Sequence, residues 1–561
     1  MKRNHLYLTL ALGVLVVACK PNRDANVETE KKFHQLLTEL TPSRMRGLGL
    51  VDDDMSKASF DSLLLKTKQL IKRLESIDTS HLQQEDVVDW KFARSILMGK
   101  EIEQGKMQSW RKDPRLYMTF TSLSSVMEGP QPIAEKIAVI EKQLLRAVKQ
   151  MKNGVAQIDT YVPRFQELSV FMAENSQVLF KTELPNFLAA HGEAASKLKQ
   201  PTAAADSMLN AFIQFLQIEL PKKPQGKFAI GSQHYNELLR NQYLLPYSAD
   251  SLYQFGRAQF NATVKELEAL AKKINPDKTW QQLAVEIKGE FPEPHRMIEV
   301  HQEWVDKCRE HVIKNNLIPI PWKERVKVVA RAPYLRKTSY YGHFSFAKAK
   351  DVDSIYTSEM HINPFEDQWD AKRKKEYLHE HDWGVIMVTA PHETYAGHHI
   401  QGLYQVNNPR PLRRENSISI FSEGWGLYNE QLFRETGFYP NDKILLRQLQ
   451  LRLWRNARVI YDVGLHTEKM TYDEAVKLMT EGVGFLEWAS QLEIDASCAS
   501  PGYFIGYFTG MMEILKMRDE YRQMKGKEFS LSEFHEKLLK IGAMPIPLMR
   551  EALFQSSEQV N

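Results

Sequence analysis

Apolar residues return at helical spacing along most of this chain. Ile133, Ile137, Ile140, Leu144, Val148 and Met151 recur every three or four positions between lysines and glutamates. A segment so patterned forms a helix with one apolar stripe, and that stripe needs other helices to cover it. The same pattern runs through Ser59–Leu74, Ala203–Leu220, Ser251–Lys273 and Trp280–Val312. Breakers at Pro114, Gly129-Pro130, Pro201, Pro221-Lys222-Lys223-Pro224 and Asn275-Pro276 separate these stretches. The expected fold class is mainly α, with no low-complexity tract or fixed-period repeat.

One region breaks the pattern. Val326 to Arg331, Tyr340 to Phe346 and Ser358 to Asn363 alternate in polarity and are rich in β-branched or aromatic residues, which predicts three short strands. His343 and His361 sit on two of them. With 561 residues, 43% apolar and 26% charged, the chain can bury a large core. A net charge of +4 over that length gives no electrostatic reason to expect a nucleic-acid partner. The densest basic cluster, Lys372-Arg373-Lys374-Lys375, reads as a solvated helix face.

Chemistry concentrates in Pro391-His392-Glu393-Thr394-Tyr395-Ala396-Gly397-His398-His399-Ile400-Gln401, with Glu423 following in Ser422-Glu423-Gly424-Trp425-Gly426. Three imidazoles and two carboxylates suit a hydrolytic zinc site, which takes three N or O ligands and leaves one position open for water. A Glu beside the first ligand can take that water's proton. The H-E-x-x-H form fails here, because Ala396 occupies the fourth position after His392. The second ligand is therefore His398 or His399. On a continuous helix His399 returns to within about 20° of His392 but sits about 10 Å along the axis. A π-type bulge opened by Gly397 would instead swing His398 onto the metal face. The spacing favours His398, with His399 the alternative.

The order H-E-x-x-x-G-H-H-x-Q, then F-x-E-G-W-x-L-Y-x-E (Phe421 to Glu430), then Arg458, Asp462, Gly464 and His466, then Pro501, Gly502 and Tyr507, resembles the bacterial domain-of-unknown-function 885 family. Members of that family resemble gluzincin peptidases. The resemblance is strongest from Pro391 to Met517. It implies a large multi-helix peptidase body with a small β-sheet near the active-site cleft, where an edge strand can hold an extended peptide. It also implies His392, His398 or His399, and Glu423 as zinc ligands, Glu393 as general base, Tyr507 as an oxyanion donor, and His466 as a second such donor, as the holder of a group behind the ligands or as a helix-surface histidine.

The chain departs from the family pattern as well. Ala396 replaces a common Pro, Ala496-Ser497 replace an Arg-Tyr pair, Tyr503 replaces a Gln and Phe508 a Lys. These positions lie near the expected substrate channel, so a substrate preference borrowed from relatives does not transfer.

At the other end, Met1-Lys2-Arg3 is basic, Leu6 to Ala18 is apolar, and Val16-Val17-Ala18-Cys19 closes the run with small residues and a Cys. This is the layout of a bacterial lipoprotein signal. It predicts a lipid anchor on Cys19, a location on the cell envelope facing the periplasm or on the outer-membrane surface, and a polar tether over residues 20–32. A helical lobe is expected over 33–290 and a metal-bearing lobe over 291–561. Only Cys308 and Cys498 remain, and their pairing is not readable from sequence.

The sequence thus leads to a zinc-dependent peptidase acting on a peptide or peptide-like substrate, its oligomeric state open. Two rivals stand beside it. One is a non-catalytic ligand-binding lipoprotein with a structural metal. The other is a non-haem iron enzyme, since the same donors suit Fe(II).

Overall fold

A computed structural model describes residues 23–40, 55–128, 131–331, 343–347, 350–351 and 354–558. The chain is mainly α-helical with one small sheet, as the periodicity requires. The stripe at Ile137, Ile140, Leu144 and Met151 lies buried along a helix spanning Ile133–Gln157. The stretch from Trp280 to Val312 is not one helix. It divides into Trp280–Lys288 and Met297–Lys314 at Gly289, because the two prolines that follow, Pro292 and Pro294, cannot donate to a helical ladder.

Among the described residues, buried apolar side chains form two clusters. The smaller one runs from Tyr117 to Leu220 and is enclosed by the helices Ile133–Gln157, Pro163–Val178 and Lys199–Gln214. The larger one draws on Phe33 at one end of the chain and Leu553 at the other. The lobe boundary expected at residue 290 therefore does not coincide with a division of the core. Residues 1–22, which carry the expected signal and Cys19, lie outside the described residues. The expected tether overlaps a helix, Arg23–Glu39, whose Phe33 and Leu36 are buried in the larger core.

The helix Asp442–His466 runs through that core and is buried around its whole circumference for most of its length. The helices Ala249–Ile274, Trp383–Glu393 and Ile505–Lys525 pack on it, and the last of these also packs along Ser419–Glu435. Because its polar side chains are buried too, they need partners. Arg447 supplies one such link by donating from Nε and Nη2 to Asp382 Oδ2 at 3.1 and 2.9 Å. The other oxygen of Asp382 accepts from the Gly384 and Val385 amides and caps the helix Trp383–Glu393.

The strands are β1 (Glu324–Ala330), β2 (His343–Ser345) and β3 (Tyr356–Ile362). Each falls within three residues of its expected segment, and residues 340–342 of the second segment lie outside the described residues. Their order is β1-β3-β2, with β1 parallel and β2 antiparallel to β3. His343 and His361 are cross-strand partners. Cys308 and Cys498 are both free and buried.

Candidate metal centre

The helix that starts at the Asp382 cap ends at Glu393, and a new helix starts at His398 and runs to Val406. The expected π bulge is not there. The chain breaks instead, with Thr394 at φ −115°, ψ −107° and Gly397 at φ −75°, ψ −130°. A Cβ at position 397 would lie 1.8 Å from the His392 carbonyl oxygen, so only glycine fits this joint. The joint is also tied down from both sides. Trp425 Nε1 donates to the Ala396 carbonyl at 3.0 Å, and the Tyr395 hydroxyl donates to Glu324 on β1.

Breaking the helix separates the two candidate imidazoles. His399 turns to the sheet, with Nε2 2.9 Å from Glu324 Oε2 and Nδ1 2.9 Å from Ser358 Oγ on β3, all three side chains buried. His398 turns the other way. Its Nε2 lies 3.5 Å from Glu423 Oε2, and His392 Nε2 lies 3.7 Å from the same oxygen. His392, Glu393 and His398 each offer a donor atom within 4.8 Å of the others. Ligands about 2.1 Å from a tetrahedral ion stand about 3.4 Å apart, so the Glu423 separations are close to those a bound metal needs.

Glu430, two turns beyond Glu423 on the helix Ser419–Glu435, accepts from His392 Nδ1 at 2.9 Å. Arg455 Nη2 lies 3.3 Å from the same oxygen. Gly426 faces the His392 ring, where a Cβ would come within 2.6 Å of Nε2.

Burial by itself would push His392 down. Hydrogen bonds to Glu423 and Glu430 and the charge of Glu393 outweigh it and hold the imidazole up to about 9. Glu423 moves oppositely. Burial would raise it, but His392 and His398 together hold its carboxyl well below the usual carboxylate range. The pocket is therefore a pre-formed cluster of opposite charges, in which a divalent cation would replace the imidazole proton.

The centre opens into a cavity of about 1200 Å³. Phe344 on the edge strand β2 and Phe346 just after it form one wall, and Tyr503, Tyr507, Arg455 and Arg458 form the other. Tyr503 donates to Glu423 Oε1 at 2.8 Å, and its hydroxyl is 3.4 Å from that of Tyr507. The Arg458 guanidinium lies 4.0 Å from the centre of the Tyr507 ring and donates from Nε to Glu493 at 2.6 Å.

His466 is elsewhere. It sits about 12 Å beyond Arg458 along its helix axis, buried between Phe228 and Tyr235, with Nε2 2.9 Å from the Ser497 carbonyl oxygen. Burial pushes it down to about 4, so it is a neutral packed side chain outside the cavity lining. Sequence reading quoted Glu430 as the end of a motif without giving it a role, and passed over Arg455 and the contact of Tyr503 with Glu423. Only Glu430 left a signal, lying seven residues after Glu423 and so on the same helix face.

Solved structures share the fold, among them two lipoprotein candidates. One, a candidate lipoprotein of unknown function from Shewanella oneidensis, is 18% identical with a TM-score of 0.74, over 95% of this chain and 98% of its own. The other, a candidate lipoprotein from Colwellia psychrerythraea, is 17% identical with a TM-score of 0.68, over 96% and 97%. No curated protein matches the chain. The family described as bacterial proteins of unknown function, domain of unknown function 885, matches over residues 42–553. The chain belongs to that family.

Proposed function

We propose that this protein is a zinc-dependent metallopeptidase, with His392, His398 and Glu423 as ligands and Glu393 as general base. The observation that carries the reading is the convergence of His392 and His398, from two separate helices, on one oxygen of Glu423 at the floor of a large cavity. Zinc bound there would supply Lewis-acid polarisation of the scissile carbonyl and acidify the attacking water. Glu393, half-buried in the cavity wall beside the first ligand, takes the proton of that water and passes it to the leaving amine. Tyr507 donates to the oxyanion. The aromatic wall and the edge strand β2 suit an extended peptide lying across the centre.

Screening quenched-fluorescent peptide pools with and without a chelator tests the reading, together with metal analysis of protein purified without added metal. Glu393→Gln should lower turnover of the best peptide by about 10²- to 10⁴-fold and keep zinc. Wild-type turnover by this variant would overturn the mechanism, and iron in place of zinc would overturn the metal.

We place the protein on the cell envelope, supported by the Cys19 signal and by the description of both structural neighbours as candidate lipoproteins. Cys19→Ser should move it from the membrane fraction to the soluble one, and equal retention would refute the anchor.

A further inference from the structure

Two tyrosines, Tyr503 and Tyr507, stand one helical turn apart in sequence at the same cavity wall, and their surroundings differ in kind. Tyr503 is engaged with Glu423. Its hydroxyl donates to Oε1 at 2.8 Å, while Oε2 of the same carboxylate is the oxygen facing His392 and His398 at 3.7 and 3.5 Å. A carboxylate left alone can rotate and present either oxygen or both. With one oxygen tied to a phenol, it presents the other. Tyr507 is held by its ring rather than by its hydroxyl, between the Arg458 guanidinium at 4.0 Å and the His392 ring at 6.4 Å. Its hydroxyl contact with Tyr503, at 3.4 Å, is long for an O–H···O bond and is exchanged for a better acceptor at little cost.

We infer that Tyr503 is a positioning residue that fixes Glu423 as a single-oxygen ligand, and that Tyr507 alone remains free to donate to a reacting substrate. The inference rests on the metal-site reading above and divides the roles of the two phenols.

The division makes crossed predictions for Tyr503→Phe and Tyr507→Phe, which each remove one hydroxyl and keep the ring. Zinc affinity is read by competition with a chromophoric chelator, and coordination geometry by the visible spectrum of the Co²⁺-substituted protein. Tyr503→Phe should weaken zinc by about 10- to 100-fold, the usual effect of losing a group that orients a ligand. It should also shift the Co²⁺ bands as the carboxylate changes its mode of binding. Tyr507→Phe should leave zinc affinity and the Co²⁺ spectrum at wild type and lower kcat on the best peptide substrate. Unchanged zinc affinity and Co²⁺ spectrum in Tyr503→Phe would overturn the positioning role, as would the same loss of metal in both variants. A wild-type protein that binds neither ion would overturn the metal-site reading itself, a different result from either of these.

Discussion

The Nδ1 edge of His392 lies 2.9 Å from Glu430 Oε1, with both side chains buried between the helices Trp383–Glu393 and Ser419–Glu435. Once the ring gives up one proton, that contact keeps the other on Nδ1. It leaves Nε2 pointing at Glu423, the orientation a ligand needs.

Glu430→Ala should lower zinc affinity by about 10- to 100-fold, measured by chelator competition. Glu430→Gln should lose less, since its amide carbonyl still accepts from Nδ1–H. Equal affinities in wild type and Glu430→Ala would show that the ring is held by packing alone.

The two neighbouring histidines should separate cleanly. His398→Ala is expected to purify with little zinc and to melt close to wild type when both are compared metal-free. His399→Ala is expected to keep its zinc at saturating metal but to lose about 1–3 kcal/mol of stability, because it takes the imidazole partner away from buried Ser358 and Glu324 while Arg309 and Tyr395 still hold the carboxylate. Metal content and thermal melts of the two variants check this, and the reverse ranking in zinc would make His399 the ligand.

Gly426→Ala adds one methyl group 2.6 Å from His392 Nε2. Overpacking of this sort costs about 1–3 kcal/mol, and here the strain falls on His392, a proposed ligand. Lower melting temperature and weaker zinc binding should appear together. A variant that melts lower but binds zinc normally would show that the ring yields without leaving its place.

Acid should destabilise the fold from pH 6.5 downward. Burial pushes His301, His466 and His535 down to about 4 and His381 to about 3. Between those values and the ordinary 6.5, the unfolded chain binds protons that the native one refuses, so stability falls as pH falls. Each such histidine contributes about 1.4 kcal/mol per pH unit inside its window. Asp462, pushed up to about 7 by burial, takes a proton in the native state over the same interval and offsets one of them. Urea melts at pH 7, 6 and 5 measure the slope. A flat response would mean that these four imidazoles are not buried in neutral form.

Much of this was legible in the sequence, for local reasons. Strands β1, β2 and β3 announce themselves by alternation, and the helix stripes by their period. His392, Glu393 and Glu423 sit in short segments of unusual composition. What stayed hidden depends on contacts between distant segments. The choice between His398 and His399 turns on a joint held by Trp425 and Glu324, neither of which adjoins it in sequence. His466 reads as a cleft residue because it closes a motif whose Arg458 does line the cavity. Its helix is buried on nearly every face, so polarity along it says nothing about which side meets the cavity. The tie between Tyr503 and Glu423 spans two helices and has no sequence period at all.

The joint at Thr394–Gly397 has a consequence for the lifetime of the protein. His392 and His398 ride on separate helices, so an ion gripped by both acts as a clasp across a seam in the backbone. A ligand present at a hundred times its dissociation constant stabilises the fold by about 2.7 kcal/mol. Were a metal held there, that difference would make opening of the seam about a hundredfold rarer. The rate at which the molecule is cleared in the cell would then follow metal supply.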